Sequence, residues 1–557
     1  MLNDLYRQSW PRFLFAVVTG LLSGLAGAGV VSVISDCASS TAPVRTLAPL
    51  FFLVCIVQVL CKSFSQLTLM RLTQEAVYRL RIELCRKVLA MPYRKLEDMG
   101  KARLLAILTT DISTYTQAAQ LMPSIFSNGI VIVVCLCYVA LMSWKIFCCL
   151  ALLLALGTSG YSFASRWPTR QMHKAREQID VLFRLFRSLL EGIRELQLNA
   201  SRAGHFIDQL VDPSAKHFRS LYVRAMVGYT FFDNLGGALF FLVIGLLLFV
   251  MPIWLPQPPN VMITLTFLLL YLISPVGEVM AALPSVRQSE IALGRIRQLE
   301  AELTVGHGEP VGPPFVDPFS HPVSGAPLLR FEAVYHNFPG LTEDKPFVLG
   351  PIDLSVEKGE LLFIVGGNGS GKTTLAMLLL GLYAPEQGRI VLNGVGVDRL
   401  NLGHYRQYFS AVFSDFHLFD EILCGDQREI ATKATNYLEK LGLAHKVRIE
   451  SSRFSTTSLS LGQRKRMALV SSYLEDRPIY LFDEWAADQD PAFKRVFYTE
   501  LLPELKRAGK TVFVISHDDT YFHCADRIVR LAEGKLIINR APSGGSDVGI
   551  IQSASLA

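Results

Sequence analysis

Six stretches of the chain, residues 13–35, 47–64, 122–143, 146–163, 231–251 and 261–283, are apolar over close to the length that crosses a bilayer. A lipid interior offers no water to backbone N–H and C=O groups, so a segment of about 20 apolar residues is stable there only as a helix. The pattern predicts six membrane-crossing helices in the first half of the chain. Composition agrees, since 51% of the 557 residues are hydrophobic, more than a water-soluble chain usually carries. The first run follows Arg7 and Arg12 as a signal peptide would, but its uncharged length exceeds the apolar core of a cleaved signal.

Charge orients these spans. Arg71, Arg79, Arg81, Arg86, Lys87, Arg94, Lys95, Lys101 and Arg103 lie between the second and third runs, and Arg166, Arg170, Lys174, Arg176, Arg184, Arg187 and Arg194 between the fourth and fifth. Basic loops stay on the cytoplasmic side, which places both segments, and with them both termini, in the cytoplasm. Apolar and charged residues alternate at helical spacing over 79–89, so the spans are expected to run on beyond the membrane. The net charge of +6, set between apolar runs, suggests contact with membrane lipids and no nucleic-acid partner. Ten cysteines without regular spacing form no disulfide framework, and Cys135, Cys137, Cys148 and Cys149 sit in apolar stretches as packing residues rather than metal ligands. Glu278, close after Pro275 in the sixth run, has two readings: a residue of the transport pathway, or a hydrated helix start created where Pro275 breaks the helix.

The composition changes after Leu303. Gly306, Gly308, Pro310, Gly312, Pro313, Pro314, Pro318, Pro322 and Pro327 sustain neither helix nor central strand, so residues 304–327 read as a linker between a transmembrane domain (1–303) and a second domain (328–540). A Ser- and Gly-rich tail, 541–557, is expected to be disordered. Within the second domain, short β-rich runs at 361–365, 479–482 and 511–515 alternate with helical stretches, the mark of an α/β fold with a mainly parallel sheet.

The run at 361–365 leads into Gly366, Gly367, Asn368, Gly369, Ser370, Gly371, Lys372 and Thr373, with Thr374 opening a helical stretch: a complete strand, phosphate-binding loop and helix. Glycines let successive N–H groups converge on phosphate oxygens, and the helix N-terminus adds its positive end. Lys372 is expected to reach the β- and γ-phosphates of ATP, and Thr373 to ligate Mg²⁺. Two acids, Asp483 and Glu484, end the run at 479–482; Asp483 is placed to hold Mg²⁺ and Glu484 to polarise the attacking water. The run at 511–515 ends in Ser516 and His517, which brings an imidazole to the same sheet edge, toward the γ-phosphate.

Shortly before the acidic run stand Leu459, Ser460, Leu461, Gly462, Gln463, Arg464, Lys465 and Arg466. This segment resembles the signature motif of ATP-binding cassette proteins, and the whole chain, six spans with two cytoplasmic extensions and then the cassette, is similar to the exporters of that family. The resemblance implies that Ser460, Gly462 and Gln463 serve ATP bound by a second copy, so that a homodimer encloses the nucleotide; that Phe338 stacks on adenine; that Asp490 joins the two sites; and that residues 91–100 form a coupling helix. Leu461 stands where the family has a glycine, and Ser414 where it has a metal-binding glutamine, leaving Ser414 or Asp415 to replace that ligand. The motifs around Asp483 to Pro491 and Ser516 to Asp519 look like the bacterial cyclic-peptide exporter branch, implying an inner-membrane ATPase that exports a peptide-like molecule. A pyoverdine-type siderophore precursor is the preferred cargo, with a syringomycin-type lipopeptide toxin or a lasso peptide as alternatives. Three rivals remain: a soluble ATPase that remodels nucleic acid or protein, which the spans oppose; an importer, which usually carries spans and cassette on separate chains; and a membrane regulator that senses ATP without cargo.

Overall fold

The computed structural model describes residues 10–38, 44–164, 166–250, 253, 258–305, 317–321, 323, 325–338, 347–423, 427–450 and 453–540. Most of the proposed linker and all of the proposed tail lie outside them. Two compact units divide the chain: one holds residues up to 82 and 106–296, the other 83–105 and 297 onward.

Long helices make up the first unit, as lipid requires of an apolar chain. They are α1 (Trp10–Ala38), α2 (Val44–Leu89), α4 (Lys101–Met142), α5 (Trp144–Ala164), α6 (Arg166–Glu191), α7 (Ala200–Val250) and α8 (Pro259–Val305); α3 (Tyr93–Met99) belongs to the second unit, as do residues 83–89 of α2, 101–105 of α4 and 297–305 of α8. Among the described residues α1, α2, α4, α7 and α8 are long and apolar enough to cross a membrane. The sixth expected crossing falls on α5, whose described apolar stretch, Trp144–Gly157, is shorter. As the spacing over 79–89 foreshadows, α2 continues unbroken from apolar to basic sequence over 46 residues.

Small residues decide how closely these helices approach. A Cβ at Gly20 would lie 2.8 Å from Ile130, one at Gly24 3.1 Å from Val134, and one at Gly27 2.4 Å from the Tyr271 hydroxyl. α1 therefore seats α4 and α8 directly on its backbone, the arrangement membrane helices favour where no hydrophobic gain drives them together. Hydrogen bonds between helices occupy the same seam: Gln58 Nε2 donates to the Tyr271 hydroxyl (2.8 Å), and Ser65 donates to the Ala16 carbonyl (2.8 Å). Val31, Val131, Cys135, Ile146, Leu268 and Leu272 pack around it as an apolar core.

One sequence expectation fails here. Helix α8 runs through Pro275 without a break, so Glu278 lies inside the helix and not at a new start. Proline removes a single backbone bond, and neighbouring helices hold the remaining turns in place.

Among the described residues the second unit carries a four-stranded sheet, a six-stranded sheet and a short antiparallel pair, β7 (Ile449–Glu450) with β8 (Arg453–Phe454). β1 (Leu329–Phe338), β2 (Phe347–Val356), β4 (Gln387–Leu392) and β5 (Val395–Gly396) pair antiparallel in the order β2-β1-β4-β5. The six-stranded sheet runs β12-β11-β3-β10-β9-β6, from β12 (Lys535–Arg540), β11 (Arg527–Ala532), β3 (Leu361–Gly366), β10 (Thr511–Ile515), β9 (Ile479–Asp483) and β6 (Phe409–Val412). All pairs but β11 with β12 are parallel. Every residue of β9 and β10 is buried, which explains why both read as continuous apolar runs without alternation.

The Gly27 seat gives a test. Alanine at Gly27 must push the Tyr271 hydroxyl off Gln58, so Gly27→Ala is expected to destabilise the full chain in mixed micelles more than it does in a Tyr271→Phe background. A double-mutant cycle should show coupling of at least about 0.5 kcal/mol; additive effects would contradict the close approach.

Candidate active site

Three parallel strands end together. Ile364 of β3 lies opposite Ile515 of β10, and Ile515 lies opposite Asp483 of β9. The segments leaving these strands are thereby gathered at one edge: the glycine loop after β3, Glu484 after β9 and His517 after β10.

The loop from Gly366 to Gly371 folds as its glycines dictate. Gly366, Gly369 and Gly371 have φ of 155°, 74° and 102°, where side chains are strained, and a Cβ at Gly366 would meet the Leu531 carbonyl at 2.4 Å. Gly367, Asn368 and Gly369 are exposed at the loop crest. Helix α9 (Lys372–Leu379) starts directly behind. Lys372 is 7% exposed, and its ammonium donates to the Gly366 and Gly367 carbonyls, both at 2.9 Å. Burial lowers the Lys372 pKa, while the facing carboxylates of Glu484 and Asp483 oppose the shift. The Ser370 hydroxyl is buried without a hydrogen-bond partner, Thr373 is exposed on the first turn of α9, and Thr374 comes next in that turn.

Asp483 is 3% exposed, and burial, together with the neighbouring Glu484 charge, raises its pKa above the usual carboxylate value. Of the two residues in doubt at the glutamine position, Ser414 is the one that faces it, its hydroxyl 3.4 Å from Asp483 Oδ2. The Asp415 charge acts on Tyr93 of α3, whose pKa is raised by burial, then by Glu97 and then by Asp415. Glu484 adopts a left-handed conformation (φ 49°) fixed by its N–H donating to the Ile515 carbonyl at 3.0 Å. That turn directs its carboxylate to His517, with Nε2 3.0 Å from Oε1.

Lys465 and Arg466 close the signature-like segment, and the sequence assigns no role to either side chain. Lys465, only 2% exposed, donates to the Glu484 carbonyl at 3.1 Å and pairs with Asp488 at 2.7 Å. Arg466 donates to Gln489 (3.0 Å), pairs with Asp490 (2.8 Å) and lies 3.8 Å over the Phe493 ring. Both belong to α10 (Leu461–Glu475), capped by Ser460, whose hydroxyl accepts from the Gln463 N–H at 3.4 Å. Gln489 Nε2 in turn donates to the Gly462 carbonyl at 3.0 Å. The turn opening α10 is thus tied to the loop behind the acidic strand, while Leu461, 45% exposed, takes no part in it. Phe338, at the end of β1, carries the Arg94 guanidinium of α3 at 4.1 Å from its ring centre.

A glycine loop with a buried, partnerless hydroxyl and a buried ammonium, opposite two carboxylates, fits a polyphosphate with a divalent cation. The family models agree. The one described as ABC transporter matches residues 349–487, and the one described as ABC transporter transmembrane region matches 12–274. The ATP-binding protein SyrD of Pseudomonas syringae pv. syringae is 37% identical over 533 residues, 95% of this chain and 94% of that one.

The chain belongs to the ABC exporter family.

An ATP-dependent lipid A-core flippase of Chromohalobacter salexigens is 31% identical over 240 residues, 40% of each chain. The solved structure of a bacterial Atm1-family ABC exporter with ATP bound shares the fold, with a TM-score of 0.72 at 18% identity, covering 97% of this chain and 96% of that one. This ABC exporter is therefore a multi-pass membrane protein that binds ATP and couples its hydrolysis to transport. Its helical transmembrane region followed by an α/β nucleotide-binding region is the architecture expected from the sequence.

The raised pKa of Asp483 has a measurable consequence. As pH rises, the unfolded chain gives up this proton first, so folding loses stability until the raised folded pKa is passed. Asp483→Asn, which never ionises, is expected to raise the thermal midpoint of the nucleotide-free exporter at neutral pH. The gain should shrink as pH falls into the usual carboxylate range; a gain that stays constant with pH would refute the burial effect.

Proposed function

We propose that this ABC exporter works as a homodimer in the bacterial inner membrane, with cassette and termini in the cytoplasm, and moves a peptide-like molecule outward. The observation that carries the reading is the common edge at the ends of β3, β9 and β10, from which the loop leading to Lys372, the acids Asp483 and Glu484, and His517 emerge together. Residues 1–303 supply the transmembrane domain, 304–327 the linker, 328–540 the cassette and 541–557 a tail. Gly366 to Thr374 cradle the phosphates of ATP, Phe338 takes the adenine face, and Thr373, Asp483 and Ser414 hold Mg²⁺, which would neutralise charge on the transferred phosphoryl group. Glu484 orients and polarises the attacking water, and His517, hydrogen-bonded to it, holds Glu484 toward the γ-phosphate.

Ser460, Gly462 and Gln463 point their helix start at nucleotide held by the second copy, so closure needs two chains. Bound ATP favours the closed pair, and hydrolysis releases it, a population shift driven by differential affinity. Lys465 and Gln489 give the shift a route, because one touches the Glu484 carbonyl and the other the Gly462 carbonyl.

For cargo, the likeness to SyrD over nearly the whole of both chains supports a lipopeptide of the syringomycin type ahead of the siderophore precursor.

In reconstituted vesicles Glu484→Gln is expected to keep ATP binding while turnover falls about 100-fold or more, and Lys372→Ala to weaken nucleotide binding. Wild-type turnover in both variants would sink the assignment. Mass spectrometry of a deletion strain beside its parent tests the cargo. Loss of a secreted lipopeptide is the expected result, and accumulation of a siderophore precursor inside the mutant cells would reinstate the other cargo.

A further inference from the structure

Glu278 sits in the apolar part of α8, and among the described residues no cation pairs with it. Its Oε2 accepts a hydrogen bond from Asn128 Nδ2 of α4 at 2.5 Å, and Asn128 is itself 1% exposed. The Ser274 hydroxyl lies 3.5 Å from the other oxygen, at the limit of a hydrogen bond. An ionised carboxylate within a span is costly unless it faces water, a partner or a ligand. A neutral amide orients it without neutralising it.

The surrounding surface says which way it faces. Ser274, Gly277, Glu278 and Ala281 are all exposed, and their spacing of three and four residues sets them on one face of α8. A Cβ added at Gly277 would meet nothing within 4 Å. This stripe is small and polar. The exposed face of α2 is the opposite, with Phe52, Leu53, Ile56, Val59 and Leu60 each more than half exposed, as a surface meeting lipid tails should be. The α8 stripe thus presents side chains suited to water or a polar ligand, with the Glu278 carboxylate among them.

We infer that Glu278 is a recognition site for a cationic group, an ammonium or guanidinium, on the exported molecule, held in position by Asn128. The inference rests on the peptide exporter proposed above and adds to it the chemistry by which cargo is read. A carboxylate tethered at one oxygen keeps the other for the ligand, and a charge-assisted hydrogen bond there separates charged from neutral cargo.

The probe is a short cyclic peptide bearing one lysine, compared with the same peptide acetylated at Nζ, each titrated onto the full-length exporter in lipid nanodiscs without nucleotide. The wild type is expected to bind the amine form about tenfold more tightly, the worth of one such bond. Glu278→Gln should abolish the ratio and Glu278→Asp keep part of it. A wild type without charge preference, or a preference that survives Glu278→Gln, overturns the proposal. So does a variant that merely loses its dimer while the ratio stays, since Glu278 would then serve contact between copies. ATP turnover measured on the same samples separates the two ideas: a wild type that bound the amine peptide through Glu278 yet hydrolysed no ATP would sink the exporter reading and leave the subsite standing.

Discussion

β10 is hydrogen-bonded on both sides, to β3 and to β9, and both pairings close in register on Ile515. Parallel strands held at one level must release their loops at one level. The glycine loop, the Glu484 turn and His517 come from positions far apart in sequence and have no other reason to meet. A slip of one residue in either pairing would turn the side chains of a strand to the opposite face and carry Asp483 and the Glu484 turn out of level with the glycine loop. The chemistry thus rests on backbone pairing among apolar strands that carry no catalytic group until they end.

The membrane unit obeys a different constraint. Lipid gives its helices no hydrophobic reason to associate, so contact depends on close fit and on a few polar groups meeting across helices. Gly20, Gly24 and Gly27 bring α1 onto its neighbours, and the Gln58 bond to Tyr271 and the Ser65 bond to Ala16 lie along the same seam. α8 takes part in this packing with one face and opens a polar stripe on another, which its mixed sequence of Ser274, Pro275, Gly277 and Glu278 permits.

Much of this was legible in the sequence because lipid and phosphate impose strong local patterns. Apolar runs, the glycine loop and acids after a buried strand each announce one structure. Legibility fell where the outcome depended on partners distant in the chain. Pro275 read as a helix breaker, yet neighbouring helices keep the turn. Ser414 and Asp415 are adjacent letters, and only the fold shows that the Ser414 hydroxyl lies by Asp483. Lys465 carried no expected role within the signature-like segment, although the fold buries it and sets its ammonium on the Glu484 carbonyl. Each depends on what lies opposite, which adjacent letters do not encode.

Residues 83–105 belong to the same compact unit as the cassette although a long stretch of membrane sequence, 106–296, separates them in the chain. Helix α3 sets Arg94 over Phe338 and over Tyr383, and Glu97 accepts from the Tyr383 hydroxyl at 2.5 Å. The unit of inheritance is therefore wider than the unit of sequence. A cassette exchanged between relatives by recombination after residue 303 would arrive with its aromatic surface and without the helix shaped to it. Grafts should succeed only between lineages whose α3 and β1 have changed together, which makes this contact a barrier to shuffling and a reason for spans and cassette to descend as a pair.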